Sequence, residues 1–173
     1  MRSGEWRKDI PYTAKCYYRL YKFGDMHRLI AAYESMIREY GSMKEYVRSH
    51  ASTGIEAVSA ICRYFAEHDA STVVPRNTQS ACKRVCMFLR WMVRSGSPVD
   101  LGLWADIIDR RTLIMPLDTH VVQEALRMGL LKSRTASMAT ARRLTDAMLE
   151  VFPDDPLRGD FALFGLGVDE DSK

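Results

Sequence analysis

Two residues in this chain stand where their chemistry is of use: a carboxylate at Asp118, behind an apolar run, and an amine at Lys83, on the polar side of an amphipathic stretch. Asp118 follows Leu113-Ile114-Met115-Pro116-Leu117, which sets its charge beside packed apolar side chains. A carboxylate so placed can stabilise a developing cation or activate a water. The same position, just ahead of the helical stretch from Thr119 to Met128, is where an aspartate caps a helix, and the two roles are compatible. Lys83, once deprotonated, can attack an electrophilic carbon such as a sugar C1′ and form a Schiff base, although most surface lysines only keep a chain soluble. His120 offers a base or a metal ligand. No second His or Cys stands at ligand spacing from it, which argues against a metal.

Helices must position these groups. Projected at the helical period, Thr78 to Arg94 places Cys82, Val85, Cys86, Phe88, Leu89, Met92 and Val93 on one side. Gln79, Lys83, Met87, Arg90 and Arg94 form the other. This second stripe is cationic, and it begins at a helix N-terminus, which also attracts phosphate. With Arg76 just ahead of it and Arg84 beside it, the stripe reads either as a surface laid along a nucleic-acid backbone or as a solvated face with no partner. Helical spacing also covers Tyr12 to Lys22, Asp25 to Tyr40, Met43 to Ser49, Ile55 to Phe65, a short piece at Leu101 to Ile108, Thr119 to Met128 and Ser137 to Phe152. A last helix starts at the Pro153-Asp154-Asp155-Pro156 turn and ends near Gly167. No period-2 strand is evident. The pattern predicts an all-α protein, one domain over residues 1–173, with roughly seven to nine short helices.

Composition limits the function classes. The 25 Lys and Arg nearly balance the 22 Asp and Glu, for a net charge of +3, so any affinity for nucleic acid must come from a local patch. The C-terminal tail, residues 169–173, is acidic. The cysteines Cys16, Cys62, Cys82 and Cys86 lack paired metal spacing and are expected to be reduced and buried. No stretch reaches the ~18 apolar residues of a membrane span, and the N-terminus has no apolar leader core. A cytoplasmic protein without a membrane partner or a cofactor is expected.

The segment Leu113-Ile114-Met115-Pro116-Leu117-Asp118-Thr119-His120-Val121, followed by Leu126-Arg127-Met128-Gly129-Leu130, resembles the aspartate segment of the helix-hairpin-helix DNA glycosylase superfamily, as in endonuclease III and its adenine-specific relative. Asp155-Pro156-Leu157-Arg158-Gly159-Asp160-Phe161-Ala162-Leu163-Phe164-Gly165-Leu166-Gly167 looks like the closing helix of that domain. The chain is still more similar to an uncharacterised bacterial family, over about residues 15–168, in which Val74-Pro75-Arg76-Asn77, the Lys83-Arg84 helix, Val99-Asp100-Leu101-Gly102-Leu103-Trp104 and the Pro-Leu-Asp-Thr-His segment recur.

The superfamily resemblance implies Asp118 as the catalytic aspartate. It implies Lys83, 35 residues upstream of Asp118, as the lysine of bifunctional members, in the arrangement of the archaeal 8-oxoguanine glycosylase, where the lysine also opens an apolar helix well upstream of the aspartate. Arg76, Arg84, Arg90, Arg94 and His120 are then the DNA-binding residues and double-stranded DNA the partner. The chain departs from the superfamily in three ways. The Ile55–His68 and Thr78–Arg94 hairpin lacks the Leu-Pro-Gly-Val-Gly turn, so Arg76 and the following helix N-terminus must replace it. The four-cysteine iron–sulfur loop is absent, since no cysteine follows Cys86. The longer N-terminal part that walls the base pocket is expected to lie outside this sequence. The resemblance thus implies a base-excision glycosylase with an AP-lyase step, acting on a base flipped from duplex DNA. A non-catalytic DNA-binding module is the alternative. A third reading is an interaction protein that self-associates through an uncovered apolar face.

Overall fold

Thr53 begins the most apolar helix of the chain. Its hydroxyl accepts the Glu56 amide at 3.4 Å, and the Glu56 carboxylate accepts the Thr53 amide at 3.1 Å, a reciprocal cap that closes both ends of the first turn. The computed structural model describes residues 4–160 and Leu163. Among these residues the element order is α1 (Trp6–Asp9), β1 (Cys16–Tyr18), β2 (Tyr21–Lys22), α2 (Phe23–Tyr40), α3 (Met43–His50), α4 (Gly54–Glu67), α5 (Lys83–Val93), a 3-10 turn (Arg110–Thr112), α6 (Thr119–Arg127) and α7 (Met138–Val151). Successive helices α2 to α5 pack on one another, and the 3-10 turn packs on α4. The fold is mostly helical, with one small two-stranded sheet.

The core joins Ala57, Val58, Ile61, Cys62 and Phe65 of α4 to Val85, Cys86, Leu89 and Val93 of α5 and to Val121 and Ala125 of α6. Ala141, Leu144 and Met148 of α7 complete it, together with Leu157 and Leu163 near the C-terminus. An extended segment, Leu113 to Leu117, runs buried through its centre.

Three elements differ from the periodicity. The segment expected as a helix from Tyr12 to Lys22 is instead an antiparallel hairpin pairing Cys16 with Lys22 and Tyr18 with Tyr21. Its four tyrosines suit extended backbone, its turn residue Arg19 has φ of 51°, and no helical stripe of it is buried. Helix α5 starts at Lys83 and not at Thr78, because Asn77 folds its side-chain oxygen onto the Gln79 amide at 3.0 Å and Cys82 takes a left-handed backbone. Residues 101–108 form turns and no helix. Their amides serve another element: Leu101 N–H and Trp104 N–H each donate at 2.7 Å to the Trp91 and Met92 carbonyls, filling orphan acceptors at the end of α5. The expected closing helix is described only where residues 158–160 and 163 are helical; its remainder and the acidic tail lie outside the described residues.

Candidate functional site

Asp118 is delivered by the buried run ahead of it. An extended strand inside a helical core needs partners for its amides, and Thr145 supplies one: its hydroxyl accepts the Met115 amide at 2.9 Å while donating to the Ala141 carbonyl at 2.8 Å. At the other end Gly54 N–H donates to the Thr112 hydroxyl at 2.8 Å. A side chain at Gly54 would stand 2.9 Å from the Leu113 Cα, so only glycine permits this approach. The run is fixed at both ends and Asp118 emerges at the N-cap of α6, where one carboxylate oxygen accepts the Val121 amide at 2.8 Å. The capping role expected for Asp118 is therefore filled by Oδ1, which leaves Oδ2 for a second partner.

That partner is Lys83. Its Nζ lies 3.3 Å from Asp118 Oδ2. The pair is open to solvent, with the lysine side chain 48% and the aspartate 19% exposed. Lys83 is the first residue of α5, placed there by the sharp turn at Cys82, whose thiol is buried and reaches the carbonyls of Asn77 and Ser80 at 3.3 and 3.4 Å. The Cys62 thiol lies 3.9 Å away. By donating to Cys82 it holds that thiol down to about 7 and is itself pushed up; burial pushes Cys86 up to about 12.

Two helix N-termini meet at this pair: Asp118 caps α6 and Lys83 opens α5, and the helix dipoles there favour anions. A second carboxylate sits close behind. Burial pushes Asp160 above the usual carboxylate range, Arg90 opposes this, and the negative charge of Asp118 adds to it. The arrangement sets an amine and a partly exposed carboxylate 3.3 Å apart on one surface, a pair able to meet an anion or to stabilise a nearby positive charge.

The remaining expected residues divide. Arg76 and Arg84 are exposed; Arg84 donates to the Val73 carbonyl at 3.0 Å and covers the Tyr21 ring. His120 is half-buried one turn into α6. Arg90 and Arg94 are a correction: they do not face outward along a basic stripe. Arg90 is 2% exposed, bonded to Asp160 and 3.6 Å from Asp100. Arg94 pairs with Asp100 at 2.8 Å and with Asp155 at 3.0 Å. Both arginines turn inward at the C-terminal end of the helix, and buried guanidinium groups persist only where carboxylates meet them. Three aspartates do so here, and neither arginine is available to a phosphate. Cys16 is also exposed, against the expectation that the cysteines are all buried; the other three are buried and free.

The spacing of the aspartates held no signal for this ion cluster, because Asp100, Asp155 and Asp160 are brought together only by the tertiary fold. Tyr12, Tyr17, Tyr18 and Tyr21 are the signal in the sequence for extended backbone over residues 12–22. Among the described residues no group of three His, Cys, Asp or Glu could hold a metal ion, and no described helix is long and apolar enough to cross a membrane. An apolar cavity of about 350 Å³, lined by residues including Tyr33, Phe65, Val74 and Phe88, opens between α2, α4 and α5; Lys83 and Asp118 do not line it.

A family model described as a protein of unknown function, DUF2400, matches residues 1–169. The match fits the expected uncharacterised family and begins ahead of the residue, about 15, at which that resemblance was read. No curated protein and no solved structure matches the chain.

Proposed function

The chain belongs to the DUF2400 family of proteins of unknown function, and from the geometry of its own site we propose that it is a DNA base-excision glycosylase with an AP-lyase step. The observation that carries this reading is the 3.3 Å approach of Lys83 Nζ to Asp118 Oδ2 across 35 residues of sequence. In this reading a damaged base is flipped from the duplex so that its C1′ sits between the two groups. The Asp118 carboxylate stabilises the positive charge that grows at C1′ as the glycosidic bond breaks. The Lys83 amine bonds to C1′ as the bond to the base breaks and its proton goes to the departing base; opening of the C1′–O4′ bond then gives the Schiff base from which β-elimination cleaves the strand. Phosphates flanking the lesion lie on Arg76, Arg84 and the amides opening α5.

The test is a panel of duplexes, each with one uracil, 8-oxoguanine or abasic site, incubated with wild type and with Asp118→Asn and Lys83→Gln. Base release or strand cleavage by wild type, loss of at least about 100-fold in Asp118→Asn, and a borohydride-trapped adduct that needs Lys83 support the proposal. Cleavage by Asp118→Asn at the wild-type rate overturns the role of Asp118, and a trapped adduct that persists in Lys83→Gln overturns the role of Lys83.

One observation favours a second reading, a DNA-binding module without turnover. The same ion pair joins two groups open to solvent, and a surface lysine at a helix N-terminus serves equally as a phosphate contact. Salt-sensitive binding to plain duplex, with no lesion preference and no product, selects this reading.

A further inference from the structure

The β1–β2 hairpin is the one element of the described structure whose aromatic side chains are largely left in solvent. Tyr17 and Tyr18 are 49% and 58% exposed, and Leu20, at the tip, is 93% exposed. Three cations, Lys15, Arg19 and Lys22, alternate with four tyrosines over residues 12–22, a span without an acidic residue. The nearest carboxylate after it, Asp25, is already engaged by the Lys22 amide at 2.8 Å and by Arg28 at 2.6 Å. The tip is a two-residue turn in which Arg19 folds its guanidinium over the Tyr18 ring at 5.2 Å.

The hairpin is anchored and aimed. Phe23 N–H donates to the Lys15 carbonyl at 2.9 Å and Gly24 N–H to the Thr13 carbonyl at 2.8 Å, tying it to the start of α2. Tyr17 meets Phe23 edge-on at 5.1 Å on one face. Tyr18 and Tyr21 are cross-strand partners and so share the other face. There Arg84 covers the Tyr21 ring at 5.4 Å, and Arg84 follows Lys83 directly. The Tyr18 face is therefore continuous with the turn that opens α5.

Exposed rings interleaved with cations, without acids, suit one ligand chemistry above others: a nucleic-acid strand whose bases stack while its phosphates meet the cations. An apolar tip residue in addition can enter a base step that has been opened. We propose that the hairpin is a base-stacking element that holds unpaired or unstacked DNA, with Tyr18 and Leu20 against the bases and Lys15, Arg19 and Lys22 along the phosphates. It rests on the reading above only in taking DNA as the partner.

The experiment measures binding of a duplex bearing a single bulged 2-aminopurine, the matching fully paired duplex and a short oligo-dT strand, by anisotropy and by 2-aminopurine fluorescence. Wild type, Tyr18→Ala, Leu20→Ala, Arg19→Ala and, as a control, Arg142→Gln at an exposed position of α7 are compared, with circular dichroism confirming that each is folded. The expected result is affinity for the bulged duplex and oligo-dT at least about fivefold weaker in Tyr18→Ala, a weaker fluorescence change in Leu20→Ala, and a shallower salt slope in Arg19→Ala. Arg142→Gln loses less than about twofold. Hairpin variants that bind all three probes as wild type does overturn this inference, even where a Lys83 adduct is trapped. Loss of binding in the hairpin variants with no trapped adduct in wild type leaves the stacking element standing and removes the lyase. A wild type that binds none of the probes overturns the inference.

Discussion

Replacing Arg90 tests whether α5 is a structural spine or a DNA-facing helix. Its guanidinium is buried between Asp160 and Asp100, with Arg94 holding the other side of Asp100. Arg90→Met keeps most of the side-chain volume and removes the charge, so Asp160 loses the cation that opposes its desolvation. Breaking a buried pair from one side costs about 3–5 kcal/mol, a large part of the ~5–15 kcal/mol that holds a domain together. For a chain of this size each kcal/mol moves the melting temperature by about 2–4 °C, so Arg90→Met is expected to melt roughly 6–20 °C below wild type. The double variant Arg90→Met/Asp160→Asn removes the stranded carboxylate as well and should recover a good part of that loss. Thermal and urea unfolding followed by circular dichroism give both numbers. Were Arg90 a phosphate contact, the loss would appear in the salt dependence of DNA binding and the melting temperature would stay within about 2 °C; that outcome refutes the ion-cluster argument.

Asp118→Ala removes the cap on α6 and is expected to lose about 1 kcal/mol, while Asp118→Asn keeps the cap. Denaturant midpoints should separate the two, and equal midpoints would mean the cap is not made in solution. Gly54→Ala presses a methyl group against the Thr112 carbonyl and the Leu113 Cα, which outweighs alanine's helix preference and costs about 1–3 kcal/mol; an unchanged melting temperature would show that the two segments are not in contact. Acid should destabilise the fold between about pH 5 and pH 2. Asp25, Glu56 and Asp109 are held below their ordinary values, chiefly by the Lys22 amide, the Ser52 amide and the Arg111 side chain, so the stability they add is present above their unfolded values and is lost as pH falls through the folded ones. Asp160 is raised and acts the other way, its contribution being lost as pH rises. A melting temperature flat from pH 5 to pH 3 would contradict this balance.

The elements read best from the sequence are those whose caps and stripes agree. Thr119 to Met128 and Ser137 to Phe152 are helices within a residue of their expected ends, because Asp118 and Ser137 each cap a clear amphipathic run. The segment at Tyr12 to Lys22 differs because tyrosines spaced along a polar stretch mimic a helical face, yet no residue of it is buried and its tyrosines suit extended backbone. The stripe on α5 misled for a related reason. Periodicity reports that Lys83, Met87, Arg90 and Arg94 share a face but not what covers it, and here Asp100, Asp155 and Asp160 arrive from distant parts of the chain. The Lys83–Asp118 approach joins two positions that the sequence singled out for separate reasons, and no local pattern predicts that they touch.

Burial of α5 bears directly on what Lys83 can do. A reacting amine must be held within a fraction of an ångström of its target, and sites built on rigid elements achieve this better than loops do. Lys83 opens a helix whose far end is held by two buried arginines and their aspartates, and the residue ahead of it, Cys82, is 2% exposed. The left-handed backbone at Cys82 costs about 1–2 kcal/mol, and the helix could have started with less strain five residues earlier, as its periodicity suggests. Had it done so, Lys83 would sit in the second turn, its amine carried along the helix and away from the α6 N-cap. The left-handed turn at Cys82 shortens the helix so that its first side chain meets Asp118. Arg90 and Arg94, turned inward onto their aspartates, hold the other end of that same helix.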